Sequence, residues 1–241
     1  MKKLMSVLIV LTMIIGMTVN TFAATPTKYA DCTTDSQRIQ YFKDTYGFTE
    51  ITGVSSGVVK EVLDTAQQGF TLVGTATTKK LLAPFAKQLP LDIFSRTEWP
   101  YDVGHFGASY NSTGITGGSL RLTDAITARG VVHEMMHAFD FGILGDSGAS
   151  AIATTNGKYS GYTSADQYVT SYAANNAKED FAETCATMIV NGGDTPCTLS
   201  KDTILYKKYK ACYDLMAEHL GTKSNATIRS AAFLGIELSA E

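Results

Sequence analysis

The sequence predicts an α+β fold, in which a small sheet and a helix carrying two histidines pack against a helical C-terminal lobe. Three observations lead there. Several segments repeat apolar residues at the helical period and end at glycine or proline. A short alternating segment, "SLRLT", reads as a strand. The second half then holds two helical segments in which histidines, and after them glutamates, recur four residues apart.

The elements follow in order. Residues 1–23 carry the marks of a secretory signal peptide: Lys2 and Lys3, an uncharged apolar run from Leu4 to Met17, and Thr21 and Ala23 as small residues before a cleavage site. The run falls short of the roughly 20 residues of a bilayer span. The mature chain is therefore expected outside the cell, with no membrane attachment after cleavage. Residues 24–98 form an α/β region of unrecognised type. "TTDSQRIQYFKDTYG" reads as a capped helix stopped by Gly47, and "SSGVVKEVLDTAQQG" as a second, with Val58, Val62 and Ala66 on one face and Gly69 at its end. "TTKKLLAPFAKQLP" places Leu81, Leu82, Phe85 and Leu89 on a third apolar face, kinked by Pro84 and closed by Pro90.

Residues 99–241 hold the chemistry. Trp99 to Gly118 is rich in Gly, Ser, Asn and Tyr and reads as loop; "SLRLT" follows as a strand. Asp124 can cap a helix through "AITARGVVHEMMHAFDF" to Gly142, and residues 142–171 read as a long loop with short helical turns. Asn176 can cap "AKEDFAETCATMIV", and a last amphipathic helix spans about Asp202 to Leu220.

Composition bounds the partners. The chain has 20 basic and 23 acidic side chains, a formal charge of −3, and no basic block, which argues against nucleic acid. Cys32, Cys185, Cys197 and Cys212 are an even set in a chain expected to be secreted, so two disulfides are expected. Cys185 would pair with Cys197 across the "NGGDTP" turn, and Cys32 with Cys212. No Cys-x-x-Cys spacing occurs, so a cysteine-built zinc site is not expected.

The chemistry centres on "HEMMH". His133 and His137 share a helix face and can fill two corners of a tetrahedral zinc site. Glu134 lies about 100° round the helix, beside the metal, where it can take a proton from a zinc-activated water. A metzincin would place a third histidine where Ile143 stands and a glycine where Asp140 stands, so that class is excluded. His105 and His219 lie in a glycine-rich loop and on the terminal helix, each without a second metal-binding residue beside it.

The third ligand is expected from "YAANNAKEDFAET". Glu179 and Glu183 share one helix face, with Phe181, Cys185 and Met188 opposite. Glu179 is favoured as ligand and Glu183 as acceptor for a ligand histidine, although the two roles can exchange. A plain alternative makes Asn176 and Glu179 a capping box, which leaves Glu183 unexplained.

"HEMMHAFD" followed by "SYAANNAKEDFAE" resembles the gluzincin metallopeptidases, within them the anthrax lethal factor catalytic domain and the secreted Pro-Pro endopeptidases. The resemblance covers roughly residues 115–190 and includes the seven-residue interval from Tyr172 to Glu179. It implies a zincin-like catalytic region with one zinc per chain held by His133, His137 and Glu179. Glu134 would be general base, Tyr172 would steady the oxyanion, and Glu183 and Asp140 would support the ligands, with Asp140 equally readable as a plain structural carboxylate at the helix end. In that fold an edge strand lies along the cleft and pairs with an extended substrate, a role that falls here to "GGSLRLT". The expected function is that of a secreted, monomeric zinc endopeptidase acting on a peptide or protein. A zinc hydrolase of a non-peptide bond, or a secreted binding domain keeping the zincin fold without turnover, are the rivals. The second predicts loss of Glu134 or Tyr172, and both are present.

Overall fold

The computed structural model describes residues 26–53, 57–156 and 167–238, so the expected signal peptide lies outside the described residues. Helix α1 is Asp35–Tyr46. The Thr34 hydroxyl accepts the Gln37 N–H while the Gln37 side chain accepts the Thr34 N–H, and the helix stops at Gly47. Helix α2, Val59–Val73, continues through Gly69 instead of ending there. The glycine serves packing: a Cβ at residue 69 would stand 2.6 Å from Val131 Cβ, so its absence lets α2 lie close against the two-histidine helix. Helix α3, Thr75–Leu82, tightens into a 3-10 turn at Ala83–Phe85, where Pro84 lacks an amide to continue the ladder.

Four strands form one sheet: β1 (Glu50–Thr52), β2 (Pro90–Phe94), β3 (Gly104–Asn111) and β4 (Gly114–Thr123). Their order is β1-β2-β4-β3, with β1, β2 and β4 parallel and β3 antiparallel to β4 at the edge. Leu91, Ile93, Phe106, Leu120 and Leu122 are buried on the face towards the helices. Asp92, Arg121 and His105 lie in register across the other face. This corrects two expectations. The glycine-rich stretch from Trp99 contains strand β3 and the start of β4, joined by a turn in which Asn111 Oδ1 accepts the Thr113 N–H and hydroxyl. In consequence "GGSLRLT" is internal, covered by β3. Composition suggested loop because glycine is poor in an isolated strand, but pairing along the β3–β4 hairpin satisfies the backbone.

The remaining helices are α4 (Ala128–Phe139), α5 (Ser147–Asn156), α6 (Ala177–Asn191), α7 (Ile204–Leu220) and α8 (Asn225–Leu234). Helix α4 runs between α2 and β3 on one side and α6 on the other. A π turn at Asp140–Leu144 leads from α4 towards α5, so the expected loop after Gly142 is largely helical up to residue 156. Residues 157–166 of that stretch lie outside the described residues. The fold is thus α+β, a small sheet and the histidine helix packed against a helical C-terminal lobe. Strands from both sides of residue 99 build the one sheet, and one hydrophobic core joins them.

Two buried features tie the lobe together. Lys208 Nζ meets Asp180 Oδ2 at 2.5 Å with both side chains fully buried, and also donates to the Gln167 carbonyl, anchoring the segment that leads to Tyr172. Burial pushes the Lys208 ammonium pKa down, opposed by Asp180. Cys32, Cys185, Cys197 and Cys212 are not joined to one another in this structure. Cys185 on α6 instead makes a side-chain contact with Cys212 on α7, because the lobe stacks these two helices. The Cys197 N–H donates to the Phe233 carbonyl at the start of the α8 exit. Among the described residues no helix is long and apolar enough to cross a membrane.

Candidate metal centre

Helix α4 is capped by Thr127, not Asp124: the Thr127 side chain accepts the Gly130 N–H. Its next turns bury His133, Glu134 and His137 to within 7 % exposure while Val131, Val132, Met135 and Met136 fill the core around them. The four-residue interval brings the two imidazoles together, with His133 Nε2 and His137 Nε2 3.0 Å apart.

Helix α6 supplies the third group. Asn176 Oδ1 accepts the N–H of Lys178 and of Glu179, so Asn176 caps the helix and leaves the Glu179 carboxylate free to turn inward. Glu179 Oε2 stands 3.1 Å from His133 Nε2 and 3.4 Å from His137 Nε2. It is buried there without a hydrogen-bond partner among the described residues. Around a tetrahedral zinc with ligands at ~2.0–2.1 Å, neighbouring ligand atoms are ~3.3 Å apart. The three separations fit that triangle, and an orphaned carboxylate oxygen between two imidazoles is the donor set zinc takes. His133, His137 and Glu179 are therefore the residues that could hold a metal.

The charges respond to this crowding. Burial disfavours the His133 imidazolium, but Glu179, Glu183 and Glu134 outweigh it and hold its pKa up at about 9. Burial pushes the Glu179 carboxyl up, yet His133 and His137 pull it well below the usual carboxylate range. Burial raises the pKa of Glu134 to about 7, against the lowering pull of His133 and the Phe106 N–H. That N–H, from edge strand β3, donates to Glu134 Oε2 at 2.6 Å. Residue 104 must be small for the strand to come so near, since a Cβ there would lie 3.2 Å from Glu134 Oε1.

Behind the ligands, His133 Nδ1 stands 2.8 Å from Glu183 Oε1. Glu183 is in turn held by Arg129, whose two terminal nitrogens donate to its two oxygens at 2.9 and 2.8 Å, and by the Thr170 hydroxyl at 2.7 Å. Arg129 and Thr170 escaped the sequence reading. The one signal for Arg129 was its place four residues before His133 on the same face. Asp140 does not join this set: its Oδ1 accepts the N–H of Gly148 at 2.9 Å and of Ala149 at 3.4 Å, fixing the start of α5. The expected support of a ligand is thus replaced by a helix anchor, because the π turn carries Asp140 to the next element. Burial pushes its carboxyl pKa up.

Tyr172 is half exposed, its ring 5.8 Å from that of His133. Burial and the neighbouring Glu179 push its phenol pKa up, so the group stays a proton donor at neutral pH. It lines a cavity of about 260 Å³ with Asp102, Val103, Arg129 and Glu134. A second cavity, about 530 Å³, opens on the His137 and Glu179 side, walled by Phe106, Phe141, Ala149 and Lys178. His105, expected in a loop, stands on strand β3 at the rim of this second cavity. The two cavities flank the His–His–Glu group on either side, with β3 residues in the walls of both.

No family model and no curated protein matches the sequence. The fold is similar to the crystal structure of a candidate zinc-binding metallo-peptidase from Bacteroides caccae, with a TM-score of 0.51 and 12 % sequence identity. The match covers 83 % of this chain and 89 % of that one. At this identity the similarity concerns the fold.

Proposed function

We propose that this chain is a zinc metallopeptidase, secreted and monomeric, that cleaves peptide bonds within an extended substrate. The observation that carries the reading is the convergence of His133 Nε2, His137 Nε2 and Glu179 Oε2 within 3.4 Å, with the Glu134 carboxylate beside them. The similarity in fold to a candidate zinc-binding metallo-peptidase supports it. So does the "HEMMHAFD…YAANNAKEDFAE" pattern, which resembles that of the lethal factor-like gluzincins.

When bound, zinc supplies a Lewis acid that polarises the scissile carbonyl and acidifies the attacking water. His133, His137 and Glu179 would hold it. Glu134, buried beside these three residues, can accept a proton and return it to the departing amine. The Phe106 N–H fixes the carboxylate in place. Tyr172 can donate its phenol hydrogen to the carbonyl oxygen as that oxygen gains negative charge. Strand β3 lies at the sheet edge, where an extended peptide could add as a further strand.

Metal analysis of the purified protein should find about one zinc per chain. Casein or a peptide library should be cut by that protein and left whole after chelation, with activity restored by added zinc. A zinc-loaded protein that cuts no peptide would exclude the peptidase reading.

A further inference from the structure

We infer that Arg129 is a positioning residue that sets zinc affinity through Glu183, an inference that rests on the metal reading above. The geometry is a chain of contacts running from solvent to the ligand. Arg129, about one-third exposed, donates from both terminal nitrogens to the two oxygens of Glu183, whose side chain is 6 % exposed. Glu183 Oε1 then stands 2.8 Å from His133 Nδ1, while His133 Nε2 faces His137 and Glu179.

Each link has a physical consequence. A buried carboxylate needs its charge compensated, and a planar guanidinium does this with two parallel hydrogen bonds that also fix the plane of the carboxylate. The fixed carboxylate determines which way the imidazole ring turns and keeps the proton on Nδ1, so that the Nε2 lone pair points at the metal position. Thr170 alone cannot do this, since its one hydroxyl holds a single oxygen and brings no charge. Arg129, on α4, also reaches Thr187 at 3.2 Å, so its guanidinium is tied to two residues of α6.

A merely structural salt bridge between α4 and α6 would act on folding and leave zinc alone. The two roles separate in a double-mutant cycle. Zinc dissociation constants are measured by competition with a chromogenic chelator for wild type, Arg129→Met, Arg129→Lys, Glu183→Gln and the Arg129→Met/Glu183→Gln double variant. Thermal melting of each metal-free protein is recorded alongside. Arg129→Met should weaken zinc binding by about tenfold, the low end for loss of a group that orients a ligand. Arg129→Lys should recover only part of that, because an ammonium cannot clamp both oxygens. The double variant should bind zinc as Glu183→Gln does. Wild-type affinity in Arg129→Met and Arg129→Lys, or losses that multiply in the double variant, would overturn the role. Wild-type protein that takes up no zinc would instead overturn the metal reading itself.

Discussion

At the scale of single residues the site separates ligands from catalytic groups. Glu134 is buried but stands outside the group formed by His133, His137 and Glu179. Glu134→Gln should therefore keep zinc at wild-type stoichiometry and lose turnover, whereas His137→Ala should lose zinc; metal analysis beside a peptide-cleavage assay reads both. Tyr172→Phe deletes one donor and keeps the ring. We expect retained zinc and a fall in kcat of about 10²-fold with KM little changed, the scale of one oxyanion donor. An unchanged kcat would make the tyrosine structural. The pH dependence of metal uptake follows from His133. In the metal-free protein its pKa is about 9, above the ordinary 6.5, so the stabilisation it brings is complete below 6.5 and is lost as pH rises through 9. Zinc needs the neutral imidazole, so its apparent affinity should rise about fiftyfold between pH 7 and 9 and level off above that. Competition titrations at those pH values test this, and a flat affinity would contradict it.

At the scale of elements the site depends on how closely α4 is held. Gly69 of α2 sits where a Cβ would press on Val131 of α4, at 2.6 Å from its Cβ. Gly69→Ala should destabilise the protein by about 1–3 kcal/mol, the usual cost of overpacking, despite alanine's better helix propensity. The urea midpoint measures this, and a rise in stability would show that α2 and α4 can separate freely. The same reasoning explains why α2 could not be bounded from sequence. A glycine at a helix end and a glycine at a helix crossing look alike until the partner helix is in place. Helix α1 was legible because Thr34, Gln37 and Gly47 act within its own turns.

At the scale of the whole molecule, the sheet draws β1 and β2 from residues before 99 and β3 and β4 from residues after it. Strand β2 pairs with β4 from Leu91–Leu120 to Phe94–Thr123, and α2 backs the histidine helix. A chain beginning at residue 99 should consequently fail to fold, giving a non-cooperative thermal transition by circular dichroism. A cooperative, zinc-binding fragment would show that the two halves are independent. The thiols follow the same tertiary logic. Should oxidation join any pair, non-reducing peptide mapping should find Cys185 with Cys212, whose helices meet, and not with Cys197.

What the sequence determined by itself is local chemistry. The four-residue spacing of His133 and His137, and of Glu179 and Glu183, sets which side chains share a helix face, because the helical repeat alone decides that. The Asn176 cap acts the same way, over three residues of chain. Tertiary structure decided whatever depends on a partner far away in sequence. It turned Glu179 from capping-box candidate to neighbour of two imidazoles, clamped Glu183 with Arg129, and moved Asp140 to the start of α5. It also put β3 outside β4, since an edge is a property of the sheet and not of any strand in it. Hydrogen bonds and burial between distant segments carry no periodicity along the chain, so only the packed molecule reveals them.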